Sequence, residues 1–107
     1  MKPEVVFALY RPHEEKDREF RALLAQHLPI LRARELVTDR EPIVVKSTNG
    51  TYIEIFEWRG AESATRAHHD PEVAKIWEAM GQIATLPTLG TLDEIDARFP
   101  HFEPVAL

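Results

Sequence analysis

Five histidines and one carboxylate set among aromatic residues are the side chains of this sequence that could do chemistry. His27 falls four residues after Leu23 and four before Leu31, on the apolar stripe of a helix and beside Pro29. It is a candidate base, metal ligand or cavity wall. Equally, it reads as a buried histidine bonded to the carbonyl that Pro29 leaves free. His68, His69 and Asp70 look like a ligand cluster, but adjacent helical residues point about 100° apart and cannot share one ion without an unwound backbone. Asp70 is better used as a helix cap, and His69 faces solvent. His68 follows Ala64 by four residues and Ala61 by seven, small neighbours that let it approach a sheet, so it is a candidate catalytic residue. His13 and His101 flank prolines and read as surface residues.

Glu54 is the other catalytic candidate. It alternates with Tyr52, Phe56 and Trp58 along a strand, and a carboxylate among rings could abstract a proton near neutral pH. The plainer alternative is an ion pair with an arginine across an interface, or a charge that discourages misassembly. Tyr52, Phe56 and Trp58 are candidate substrate-binding residues, with packing as the competing reading. Trp77 and Met80 belong to a helix stripe and read as core.

The elements that must position these groups centre on residues 43–58. Two runs rich in Val, Ile, Tyr and Phe flank Asn49-Gly50, which predicts a hairpin with a two-residue turn, Lys46 opposite Ile53 and Val44 opposite Ile55. In that register Ile43, Val45, Ser47, Tyr52, Glu54, Phe56 and Trp58 share one side, and both sides require cover. Residues 5–10 are apolar throughout and predict a central strand. From about residue 14, Phe20, Leu23, Leu24, Leu28 and Leu31 predict a long amphipathic helix, kinked or broken at Pro29. A short helix is expected over 61–69. Asp70 as N-cap and Pro71 in the first turn then start another, with Val73, Ile76, Trp77 and Met80 as its stripe. Residues 83–89 are a final strand interrupted by Pro87, Thr91 to Glu94 has capping-box spacing for a helix to about residue 98, and residues 102–106 form a tail strand or arm.

The order strand, helix, strand, strand, helix, strand makes one α+β domain spanning 1–107, a βαββαβ unit with both helices on one face of an antiparallel sheet. The face carrying Tyr52, Phe56 and Trp58 is then expected to be bare in a monomer and to be covered by a second copy. A chain of 107 residues with a formal charge of -5 and no cysteine offers no concentrated positive field for nucleic acid or an anionic membrane, and no thiolate chemistry. Its apolar N-terminal run is too short to span a membrane, so a cytoplasmic protein is expected. Gly-rich phosphate loops, nucleophile elbows and His-Glu-x-x-His are absent, and no cofactor or metal is expected.

The hairpin TNGTYIEIFEW, the helix AHHDPEVAKIWEAM and the ending FPHFEP resemble the dimeric α/β-barrel superfamily that contains the antibiotic-biosynthesis monooxygenases, most closely its small bacterial members without an assigned activity. The resemblance covers nearly the whole chain in element order. It implies a ferredoxin-like protomer whose sheet closes into a barrel with its two-fold mate. Enzymes of that superfamily carry out cofactor-free oxygenation of aromatic substrates, haem degradation and small-molecule isomerisation or decarboxylation, so fold transfers better than function. The implied function is a cofactor-free monooxygenase or proton-transfer enzyme acting on a small apolar or aromatic molecule, with Glu54 or His68 as base. The alternatives are a non-catalytic stress-related or ligand-binding dimer, or a haem- or metal-binding member in which His68 would have to face inward.

Overall fold

The computed structural model describes residues 2–107. The chain forms β1 (Glu4–Pro12), α1 (Asp17–Ala33), β2 (Ile43–Lys46), β3 (Tyr52–Trp58), α2 (Ser63–His68), α3 (Pro71–Ile83), β4 (Ala84–Thr85) and β5 (Glu103–Pro104), with a 3-10 turn at Leu89–Thr91. The antiparallel sheet has the order β4-β1-β3-β2-β5. Its first four strands have the arrangement of a ferredoxin-like fold, and α1 and α3 pack side by side on one face.

Local chemistry explains the helices. Phe20, Leu24, Leu28 and Leu31 repeat at helical spacing and are buried in α1, each contributing about 1.5–3 kcal/mol by leaving water. The helix runs continuously through Pro29 rather than breaking there. Tertiary burial on both sides of the proline outweighs the one amide bond it removes. Helix α3 starts where the capping chemistry demands, with the Asp70 carboxylate accepting from the amides of Glu72 and Val73 and Pro71 in the first turn.

Four further expectations fail. The hairpin register is shifted by one residue: Lys46 faces Tyr52, Val45 faces Ile53 and Val44 faces Glu54. The turn has three residues instead of two. Ser47 N–H donates to Thr51 C=O at 2.8 Å, Gly50 N–H donates to Ser47 C=O at 3.0 Å, and Gly50 alone takes a positive φ, +89°. This is the turn followed by a left-handed glycine bulge that three-residue hairpins use. Because side chains alternate, the slip moves Ile43, Val45 and Ser47 to the face opposite Tyr52, Glu54, Phe56 and Trp58.

The second correction concerns which face meets the helices. Tyr52 packs with Phe20 and Leu24, and Phe56 and Trp58 with Leu28 and Leu31, so the aromatic face is the helix-covered one. The opposite face carries Leu9 and Ile53, covered by Leu92 and Phe102 of the C-terminal segment, while Val5, Phe7 and Ile43 stay exposed. Third, no helix forms over 91–98. Glu94 spends its carboxylate on the hairpin tip, accepting from Ser47 Oγ at 2.6 Å and the Thr48 amide at 3.1 Å, and so does not close a capping box. The final strand is also shorter than expected, pairing only through Arg11–Thr85 and Pro12–Ala84, because the chain leaves the sheet before Pro87. That early departure leaves an open space beside most of β1.

Candidate functional site

A cavity of about 480 Å³ fills that space. Its walls come from Val6, Ala8 and Tyr10 of β1, Phe56 and Trp58 of β3, His27 of α1, His68 of α2, Trp77 and Met80 of α3, and the 86–89 turn. Phe7 and Leu9 also border it, although their side chains stand on the other face with their partners Ile55 and Ile53. No lysine, arginine, aspartate or glutamate lines it, so its polar chemistry comes from histidine, tyrosine, threonine and the indole N–H of tryptophan. Behind its wall lies a buried network. Glu54, 1% exposed, accepts from Tyr10 OH at 2.9 Å through Oε1, and His27 Nδ1 sits 2.9 and 3.0 Å from its two oxygens. On the far side of the imidazole, Trp77 Nε1–H donates to His27 Nε2 at 2.9 Å.

These contacts fix the proton positions. An indole N–H can only donate, so Nε2 must accept, and the imidazole proton resides on Nδ1, aimed at the Glu54 carboxylate. Glu54 therefore accepts from two donors, in the arrangement by which a carboxylate orients a histidine base. Tyr10 stays a neutral donor. Burial first, then the negative charge of Glu54 and the hydrogen bond to it, pushes its phenol well above the ordinary value of 10.0. Phe56 meets the His27 ring edge-on at 5.8 Å and holds its plane.

The structure redistributes the residues singled out in the sequence. His27 and Glu54 come together, with His27 at the cavity wall and Glu54 behind it. Phe56 and Trp58 line the cavity and pack on each other at 5.0 Å. Tyr52 does not line it. Its ring lies among Phe20 and Leu24, and its hydroxyl donates to Asp17 at 2.6 Å near the start of α1. His68 lines the cavity but is solvent-exposed and reaches neither Glu54 nor His27; its ring stands edge-on to Trp77 at 4.9 Å. The carboxylate partner of Glu54 is thus a histidine and a tyrosine in the same chain, not an arginine. Tyr10 and Trp77 are the participants that sequence reasoning missed. Both sit in apolar runs that read as core, and the only available signal was a polar atom on a residue expected to be buried, which must find a partner. Among the described residues there is no cluster of three or more His, Asp or Glu side chains arranged to hold a metal ion, and no helix long and apolar enough to cross a membrane.

No protein-family model matches the chain, and no curated protein matches it. Among solved structures, the chain is similar to that of Rv0793 from Mycobacterium tuberculosis, with a TM-score of 0.64 and 20% sequence identity over 87% of this chain and 98% of that one. At that identity the likeness is one of fold, and it agrees with the strand order and helix placement in identifying a small ferredoxin-like α+β protein.

Proposed function

We propose that this protein binds a small, neutral apolar or aromatic molecule in the cavity beside β1 and moves a proton to or from it, with His27 as base and Glu54 as the carboxylate that orients it. The observation that carries this reading is the Glu54–His27 pair, 2.9 and 3.0 Å apart, with His27 in the wall of a mostly apolar 480 Å³ space and Glu54 behind it. Volumes of roughly 300–1,000 Å³ with a few convergent polar groups suit small-molecule ligands. The lack of a charged lining residue disfavours anions such as phosphates and selects neutral molecules. Proton removal would leave imidazolium at His27 facing the Glu54 carboxylate, and the resulting carbanion or phenolate is the common starting point for returning the proton elsewhere, as an isomerase does, or for cofactor-free oxygenation. The monooxygenase-like reading of the sequence is one branch of this proposal, and His68 becomes a mouth residue in it.

The test is a panel of small phenols and aromatic ketones, examined by NMR for binding and for exchange of carbon-bound hydrogen with deuterated solvent. His27→Gln is expected to abolish exchange while circular dichroism remains native. Exchange that survives this substitution removes His27 from the base role. Binding with no exchange by the native protein favours a second reading, a non-catalytic carrier, which draws support from the engagement of both His27 nitrogens. We further propose that the protomer pairs with a second copy through the exposed apolar outer face of its sheet.

A further inference from the structure

The proposed base is blocked in this structure. His27 borders the cavity yet is only 1% exposed, because both of its nitrogens are engaged, Nδ1 by Glu54 and Nε2 by the Trp77 indole. Glu54 lies deeper, behind the imidazole, and does not line the cavity, so it can orient the ring but cannot be approached from the cavity. Trp77 is different. It is half-buried, it is itself part of the cavity wall, and the only hydrogen bond of its side chain among the described residues is the one to His27. Its ring lies between two imidazoles, with centroids 6.4 Å from His27 and 4.9 Å from His68, and His68 on its outer side is solvent-exposed. The ring also packs against the core on both sides of the cavity, but one hydrogen bond is the only polar tie of its side chain. Its outer edge meets only the exposed His68, which makes it the one member of the network with a solvent-facing side.

We propose that Trp77 is a latch on His27: its indole N–H occupies the basic nitrogen at rest and fixes the Nδ1–H tautomer, and a planar ligand carrying its own O–H or N–H displaces it. This rests on the proposed use of the cavity and names the ligand chemistry that opens it. The indole marks what Nε2 accepts: a hydrogen-bond donor on a flat apolar body. A ligand of the same shape without a donor enters the cavity but leaves the latch in place. The exchange is one donor for another at the same lone pair, so no polar atom is left unsatisfied on His27. Only after the exchange is a ligand proton within reach of the base. Trp77 is on this account a positioning residue, acting through His27.

The experiment compares phenol with toluene, equal in shape and differing in the donor, binding to ¹⁵N-labelled native protein and to Trp77→Phe, which keeps a ring and deletes the N–H. In the native protein without ligand, the His27 nitrogens should show an accepting Nε2 and a protonated Nδ1. Phenol should shift the Trp77 indole N–H resonance toward that of a free indole, and toluene should not. Trp77→Phe reshapes the wall for both molecules alike, so the readout is their ratio: the phenol-to-toluene affinity ratio should rise about 5-fold, the equivalent of one hydrogen bond of about 1 kcal/mol no longer displaced. The latch is overturned, with the cavity reading intact, if both molecules bind, the indole resonance moves equally with each, and the phenol-to-toluene affinity ratio is the same in the variant. Failure of both molecules to perturb any cavity residue overturns the cavity reading and the latch with it. The tautomer and the indole resonance are read in the native protein, so the proposal stays testable should the variant not fold.

Discussion

Glu54 is a buried carboxylate with no lysine or arginine beside it, held by two donors, Tyr10 and His27. Removing the acceptor leaves both donors buried and unpaired. Glu54→Ala is therefore expected to cost about 3–5 kcal/mol in urea denaturation, a large part of the 5–15 kcal/mol that domains of this kind possess. Tyr10→Phe should cost less in the native background and almost nothing once Glu54 is gone, a coupling that a double-mutant cycle reads directly. Tyr10 also sets an alkaline limit. Its phenol is raised in the folded state, chiefly by burial and then by Glu54, so the unfolded chain loses its proton first as pH climbs past about 10. Stability is fully present below that value and falls as pH rises toward the folded one. Tyr10→Phe should remove most of this slope in denaturation midpoints measured from pH 8 upward. A smaller part should remain from Tyr52, raised by burial and by its bond to Asp17. The sequence exposed Glu54 and His27 as odd residues on apolar faces, but it could not show that they meet, since 27 positions separate them and the pairing depends on which face of the sheet α1 covers.

A second question, which side chains of β2 share the helix-covered face, is settled at the hairpin tip. Asn-Gly is compatible with a two-residue turn having two positive φ values and with a three-residue turn having one, and nothing local separates them. The deciding contacts come from far along the chain. Glu94 holds Ser47 and the Thr48 amide, Asp93 accepts from Thr48 Oγ1 at 2.8 Å, and Asn49 Nδ2 donates to Thr91 C=O at 3.0 Å while its Oδ1 accepts from the Thr51 amide. Features fixed by short-range chemistry, such as the Asp70 cap and the stripes of α1 and α3, were legible in the sequence. The register was not, because a distant segment selects it. Gly50→Ala meets no atom within 4 Å but must adopt φ +89°, so backbone strain alone should cost about 1 kcal/mol and lower Tm by roughly 4–8 °C. Glu94→Ala should leave α1 and α3 intact while amide exchange accelerates at 47–51 and 91–95, the two segments its carboxylate joins. Equal exchange in both proteins would show that the tip holds its register without the C-terminal segment.

At the scale of the molecule, the sheet presents two unlike faces, and the exposed one is the face through which we propose that a second copy pairs. Val5, Phe7 and Ile43 are each at least half exposed on it, and Leu86, Leu89, Ile95 and Phe99 are exposed large apolar residues of the turn and C-terminal segment that follow α3. The C-terminal segment covers only the part around Leu9 and Ile53. Contiguous exposed apolar area on a sheet is the mark of an interface, and burying it isologously against the same face of another protomer would produce the closed barrel that the sequence resemblance implies. The proposed pairing uses the opposite face from the one expected from the sequence, because the side bearing Tyr52, Phe56 and Trp58 holds the helices. Sedimentation at micromolar concentration should accordingly give about twice the chain mass of 12.3 kDa. Phe7→Lys paired with Ile43→Lys places charges at the centre and edge of that face, where the neighbouring carboxylate, Glu57, is already held by Thr38 and Arg40, and should shift the distribution to monomer. Phe7 and Ile43 contribute side chains to neither the helix core nor the Glu54 network, so the variant should remain folded by circular dichroism. A wild-type monomer at these concentrations would show that this face is tolerated in water as it stands, and the cavity would then have to function without a second protomer closing over the sheet.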